Sequence, residues 1–258
     1  MRLIIPGRPG HLSYVHPRVE APMNQQLQDG LSLPSKVWRK PSLAEQLTTF
    51  KATMLARMTP DDADIIRQSE AAWATAAAGM LRAGDMAPDF TLPDQHGRAI
   101  RLRDRLALGP VVVLFIRGGW CPFCTIHLRA WAEALPALQE AGGDLLAISP
   151  QPVPACGNVA ERDLLAYPVL SDRNGAVAEA FGVDWDVPEF ARPLYLRLGH
   201  DLPVLNGDGS WRAPLPGVFV LDRDGRITLV HTDRAVARRL DPAAVIAAVQ
   251  AIGTADAT

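Results

Sequence analysis

Apolar positions recur every three or four residues over two stretches ahead of the middle of the chain. Leu43, Leu47, Phe50 and Met54 share one helical face, and Ser42-Leu43-Ala44-Glu45 reads as a capping box at its start. A second helix opens at Thr59-Pro60-Asp61-Asp62, with a Thr cap, Pro in the first turn and acids beside the helix N-terminus. It runs through Ile65, Ile66, Trp73, Ala76 and Met80 and is expected to end before Gly84. Such stripes pack on a core or on a second subunit. From Gly84 the period shortens. Residues 87–94 and 99–102 suggest a hairpin across Gln95-His96-Gly97-Arg98. Val111–Ile116 is a continuous apolar run, as expected of a buried strand. A helix is then predicted from Thr125, with Leu128, Trp131, Leu135 and Leu138 on one face and a stop at Gly142-Gly143.

Further strands are expected over 144–149, 169–170, 218–221 and 227–230, and further helices over 159–166, 176–181 and 242–252. The last two strands form a hairpin across Asp222-Arg223-Asp224-Gly225. Residues 184–213 read as a long, irregular, polar connection, a length that points to a functional loop or an interface. Residues 1–41 carry Pro6, Pro9, Pro17, Pro22, Pro34 and Pro41 and no period, as in an extended arm. The expected organisation is an arm over 1–41, a helical extension over 42–83, an α/β domain over 84–252 and a tail over 253–258. Strands alternating with helices, closed by a hairpin and a helix, indicate a mixed central sheet flanked by helices.

The chemistry sits where the buried strand turns into a helix, at Gly118-Gly119-Trp120-Cys121-Pro122-Phe123-Cys124. A helix N-terminus offers unpaired N–H groups and roughly half a positive charge, which favours a thiolate. Cys121, nearest the loop, is the exposed candidate, and Cys124 follows one turn inward. A disulfide closing so short a loop would contribute only about 2 kcal/mol by chain entropy, which argues for a redox rather than a structural role. Cys121, Cys124 and His127 are also spaced for a metal, but a structural zinc site takes four ligands and no second Cys-x-x-Cys is present. No metal and no cofactor is expected.

Composition narrows the setting. The chain has 258 residues, 48% of them hydrophobic, so a substantial core can form. With 26 basic against 28 acidic residues, a partner held through phosphates, such as nucleic acid, is not expected. Three cysteines do not suggest a secreted disulfide framework. The opening residues are too short in apolar length for a secretory signal, and no run reaches the roughly 18 apolar residues of a membrane span. A cytoplasmic protein with reduced thiols, free of the membrane, is the expectation.

Taken together, Gly84–Leu92, Arg117–Cys124, Leu170-Ser171-Asp172, Ala180-Phe181-Gly182 and Leu215–Asp222 resemble the thioredoxin fold. More closely, they resemble the peroxiredoxin-like (alkyl hydroperoxide reductase/thiol-specific antioxidant) branch of that superfamily. The resemblance spans roughly 42–252. It implies a thiol-dependent oxidoreductase acting on a disulfide or hydroperoxide substrate, with a separate thiol as reductant, and leaves a homodimer open. In peroxiredoxins the cysteine matching Cys124 follows a proline by seven residues and a threonine by three. Arg117 and Cys121 stand there instead, and Pro216 stands where an arginine is usual.

The same residues match a thioredoxin-type site, Trp-Cys-x-x-Cys with a cis proline opposite. On that reading Cys121 attacks a substrate disulfide and Cys124 resolves it. Trp120, Pro216 and Leu215 bind substrate, with a cis Leu215–Pro216 bond leaving the Leu215 backbone free to pair. Arg117 tunes the thiolate. The buried acid of thioredoxins is replaced by Leu114, so the proton acceptor is unassigned; His127 is a candidate relay. Cys156 is read as incidental burial, with a resolving role as its alternative. Thiol–disulfide exchange is therefore the first expectation, thiol peroxidase chemistry with a sulfenic acid on Cys124 or Cys121 the alternative, and a non-catalytic redox sensor the third.

Overall fold

The computed structural model describes residues 39–76, 79–232, 235 and 237–255. The expected arm over 1–41, apart from its last three residues, and the final half of the expected tail lie outside these. Residues 41–258 form one unit.

At its centre is a five-stranded sheet in the order β5-β4-β3-β6-β7. The strands are β3 (Val111–Phe115), β4 (Asp144–Ser149), β5 (Val169–Ser171), β6 (Gly217–Leu221) and β7 (Ile227–Thr232). β3 pairs in parallel with β4, and β4 with β5, while β6 runs antiparallel to both β3 and β7. The all-apolar run 111–115 becomes the middle strand because both its faces are covered, and every residue in it is fully buried. Phe115, Phe181 and Phe219 meet there, with ring centroids 5.0–5.7 Å apart. Helix α4 (Pro122–Glu140) and the C-terminal helix α9 (Pro242–Ala255) pack against each other beside the sheet. A separate hairpin, β1 (Thr91–Pro93) with β2 (Ala99–Arg101), leads into the short α3 (Leu102–Leu106). This is the thioredoxin-like α/β architecture the sequence implies, preceded by the expected helices.

Those helices are α1 (Leu43–Ala56) and α2 (Pro60–Ala76). The Ser42 hydroxyl accepts from the Glu45 N–H at 3.3 Å, while the Glu45 carboxylate accepts from the Ser42 N–H at 2.7 Å, completing the capping box. Thr59 Oγ1 accepts from the Asp62 N–H at 3.2 Å. α2 stops earlier than its apolar pattern suggests. Beyond it, the Leu81 N–H donates to Phe181 O at 3.2 Å, so the chain is already tied to the sheet domain.

Three expectations change, all through proline. α4 begins at Pro122, three residues before Thr125, with Cys121 as its N-cap. α5 (Val153–Arg162) starts six residues earlier than expected, with Pro152 at its N-cap and Pro154 in its first turn. The connection 184–213 is less irregular than expected and buries part of its length. It holds a 3-10 turn (Glu189–Ala191), α7 (Arg192–Arg197) and α8 (Leu202–Asn206). Pro188, Pro193 and Pro203 cap or open these pieces rather than break them. Trp185, Val187, Ala191, Leu194, Tyr195 and Leu202 from this segment are buried. Helix α6 (Ala176–Ala180) precedes it. No helix among the described residues is long and apolar enough to cross a membrane.

Candidate active site

Local sequence sets the cysteine turn. After β3 the chain must reverse in a confined space, and Gly118 takes φ +137°, a region closed to most side chains. A β-carbon there would lie 2.7 Å from both Gln151 Oε1 and Trp120 Nε1. The Gly119 N–H donates to Gln151 Oε1 at 2.6 Å, and Arg162 donates to Gly119 O at 3.1 Å and to Thr125 Oγ1 at 3.0 Å. Arg162 is itself held by the buried Asp163, which also pairs with Arg129 at 2.8 Å. The turn is thus pinned from α5 before α4 begins.

Cys121 occupies the N-cap with extended backbone (φ −89°, ψ 111°), and its carbonyl accepts from the N–H groups of Cys124 and Thr125 at 3.0 and 3.1 Å. Cys121 is not exposed as expected: only 2% of its surface reaches solvent, and Cys124 is covered further, at 1%. The sulfur is reached from a cavity of about 80 Å³ whose wall includes Met54, Ile66, Trp73, Trp120, Phe123 and Leu198. Arg117, Tyr195 and His200 add its polar edge.

The two thiols differ sharply. A hydrogen bond from the Cys124 thiol is the largest influence on Cys121; helped by the Arg117 guanidinium and the Cys124 N–H, and more weakly by Arg239, it outweighs burial and pulls the Cys121 pKa down to about 6. Cys124, the donor, is pushed well above the ordinary thiol range by that same bond, by burial and by the neighbouring thiolate. The two shifts run in opposite directions and favour negative charge on Cys121 over Cys124.

Arg117 is buried, and four aromatic rings surround its guanidinium. The centroids of Trp120, Trp73, Tyr195 and Trp185 lie 5.0, 5.5, 5.6 and 6.0 Å away. One nitrogen donates to the Tyr195 hydroxyl, while Nε has no hydrogen-bond partner among the described residues. Burial works against the guanidinium charge, but its interactions with Tyr195 and the two cysteines outweigh that cost and keep Arg117 protonated. Trp120 also packs on His200, with centroids 4.9 Å apart.

Leu215 and Pro216 require correction. No peptide bond among the described residues is cis, so the Leu215–Pro216 bond is trans. Nor is the Leu215 backbone free: its N–H donates to Val183 O at 2.7 Å. It closes a ladder in which Ala213 N–H meets Trp185 O at 2.8 Å and Val187 N–H meets Trp211 O at 3.0 Å. The chain's own residues 183–187 lie where the thioredoxin reading leaves room for a substrate strand. Both residues are buried.

His127 is buried, and its Nε2 accepts from the Trp131 indole at 3.1 Å. Burial, then the positive charge of Arg239 and His231, holds its pKa well below the ordinary histidine range, so it stays neutral with one nitrogen already engaged. Among the described residues no group of three His, Cys, Asp or Glu side chains is placed to hold a metal. Cys156 is fully buried, its pKa pushed up to about 12 by burial, and its thiol faces the Gln151 and Leu170 carbonyls at 3.5 and 3.9 Å. Gln151, Trp185, Tyr195, His200 and Arg239 were missed by sequence reasoning. The available signal was the density of aromatic residues in 184–213, which the many prolines obscured.

The AhpC/TSA family model matches residues 83–230. Peroxiredoxin Bcp of Escherichia coli strain K12 is 34% identical over 153 residues, 59% of this chain and 86% of that protein. The thiol-disulfide oxidoreductase ResA of Geobacillus thermodenitrificans is 29% identical over 58% of this chain and 68% of its own length. Among solved structures, peroxidoxin BcpB of Mycobacterium tuberculosis superposes with a TM-score of 0.55 at 27% identity, covering 67% of this chain and 98% of that one. Family match, sequence relatives and a strand-to-helix cysteine turn agree: the chain belongs to the AhpC/TSA family, the peroxiredoxins of the thioredoxin fold, and is a thiol-dependent oxidoreductase.

Proposed function

We propose that this protein is a thiol-dependent peroxidase in which Cys121 is the peroxidatic residue and Cys124 resolves it. The Cys121 thiolate attacks one oxygen of a hydroperoxide ROOH. The O–O bond breaks, Cys121 becomes a sulfenic acid, and RO⁻ leaves and takes up a proton as ROH. The Cys124 thiol then attacks the Cys121 sulfur, forming the disulfide and releasing water. An external dithiol, or two thiols, reduces the disulfide and is itself oxidised. Arg117, two residues past β3, supplies positive charge beside the thiolate and the departing oxygen, the role left open by Pro216.

The observation that carries this reading is Cys121 at the wall of a small cavity, its thiol pKa lowered, with the Cys124 thiol one turn inward behind it. That confinement favours a small peroxide over a protein disulfide. Thiol–disulfide exchange with an extended substrate, the first expectation from the sequence, has less support: Cys121 is covered, and the Leu215 N–H is already bonded within the chain. The similarity to a relative named peroxiredoxin adds weight on the same side.

The test is peroxide consumption with dithiothreitol as reductant. Wild type should turn over, Cys121→Ser should not, and Cys124→Ser should accumulate a dimedone-reactive sulfenic acid on residue 121. Insulin-disulfide reduction without peroxide consumption, or a sulfenic acid formed on Cys124 at the wild-type rate in Cys121→Ser, would overturn it.

A further inference from the structure

The family match begins at residue 83, yet part of the wall above Cys121 comes from before it. Met54 of α1 and Ile66 and Trp73 of α2 line the cavity. These helices are fastened to the domain and to each other. Phe50 meets Phe123, next to Cys124, edge-on at 5.0 Å. Lys51 pairs with Glu70 at 2.7 Å, joining α1 to α2. Asp62 pairs with Arg197 of α7, and Trp73 packs edge-on against Trp185 at 5.7 Å. Fixed at several points, the pair is a roof rather than a trailing segment.

We propose that α1 and α2 form a size-selecting cap over Cys121, with Ile66 and Met54 as its specificity-determining residues, so that compact apolar hydroperoxides enter and bulky ones are refused. The proposal rests on the peroxidase reading for its substrate. The physical basis is a small, half-open cavity of about 80 Å³ whose wall is largely apolar, with Ser69 and Glu70 of α2 among its few polar residues. A compact alkyl group gains by leaving water there, whereas a larger group must displace side chains that the surrounding contacts hold in place. Ile66 and Met54 are half-buried at this wall and take no part in the ring cage around Arg117. Their size can therefore be changed without touching the groups that hold the thiolate.

The experiment compares wild type, Ile66→Ala, Ile66→Phe and Met54→Ala, each checked for folding by its thermal transition. The first readout is kcat/KM for cumene hydroperoxide relative to hydrogen peroxide. Wild type should favour hydrogen peroxide and tert-butyl hydroperoxide over cumene hydroperoxide. The two alanine variants should raise the cumene ratio about tenfold or more, the discrimination that a methylene-sized change carries in an apolar pocket, and Ile66→Phe should lower it. The second readout is alkylation of Cys121 by N-phenylmaleimide relative to iodoacetamide, followed by mass spectrometry, which needs no turnover and should move the same way. Ratios unchanged in folded variants by both readouts overturn the cap. Alkylation ratios that move while no peroxide is consumed by wild type keep the cap and overturn the peroxidase reading.

Discussion

The guanidinium of Arg117 donates to the hydroxyl of Tyr195, 78 residues further along the chain. Arg117 lies at the end of the central strand, beside the cysteine turn; Tyr195 lies on α7, in the connection between α6 and β6. Their bond fixes a buried cation near Cys121, which, after the hydrogen bond from Cys124, favours ionisation of that thiol.

Tyr195→Phe should therefore act on the thiolate without touching sulfur. It keeps the ring over Arg117 but leaves a buried N–H without its acceptor, a loss of about 1–3 kcal/mol. Arg117→Met removes the charge itself. In the pH profile of iodoacetamide reactivity, wild-type Cys121 should titrate near 6. The Arg117→Met midpoint should lie about 1–3 pH units higher, with Tyr195→Phe between the two. An Arg117→Met profile that superposes on wild type would refute the electrostatic role.

The same ionisation should make the reduced protein's stability depend on pH. Folding lowers the Cys121 pKa from 9.0 to about 6, so the folded chain gives up this proton first. The stabilisation is lost as pH falls through about 6 and complete above 9. Between those limits the slope should approach 1.4 kcal/mol per pH unit. Cys124, held above its ordinary 9.0, opposes this at higher pH, where the unfolded chain ionises it first. His127, held below its ordinary 6.5, adds a further loss on the acid side. Urea unfolding under reducing conditions should show the rise from pH 6.5 to 8.5 in wild type and its absence in Cys121→Ser, with the acid-side loss kept in both.

Gly118→Ala should be costly for a small change. Its backbone is in a region that disfavours alanine, and the added carbon would crowd Gln151 and Trp120. A loss of about 1–3 kcal/mol in chemical denaturation is expected, together with a change in Trp120 fluorescence as the ring is displaced. A variant as stable as wild type would show that the turn relaxes freely.

Cys156 should be a bystander. It is fully buried on the inner face of α5, with its thiol held far from ionisation. Cys156→Ala should leave peroxide turnover within twofold of wild type and cost about 1 kcal/mol of stability through lost packing. In wild type it should react with maleimide only after unfolding. A mixed disulfide trapped on Cys156 during turnover would reverse this assignment.

The sequence by itself determined what depends on neighbours along the chain. An apolar run, two glycines, a cysteine and a proline in that order force a buried strand, a tight turn and a helix start, so a cysteine pair at a strand-to-helix turn was legible before any coordinates, although the helix begins at Pro122 rather than Thr125. So were the Ser42–Glu45 box, the order of the strands, and the family, whereas α3, α7 and α8 were not. Only the tertiary structure decided what depends on distant residues meeting. Trp73, Trp185 and Tyr195 converge on Arg117 from segments with no common period, so nothing local announces the cage. Part of the covering of Cys121 comes from two helices whose apolar stripe reads as packing but does not say against what. The Leu215 N–H is satisfied by Val183 because 183–187 and 211–215 run side by side, a pairing invisible in a stretch punctuated by Pro188, Pro193 and Pro203. Hydrogen-bond and packing partners are a matter of three-dimensional proximity, whereas capping and periodicity are a matter of spacing along the chain.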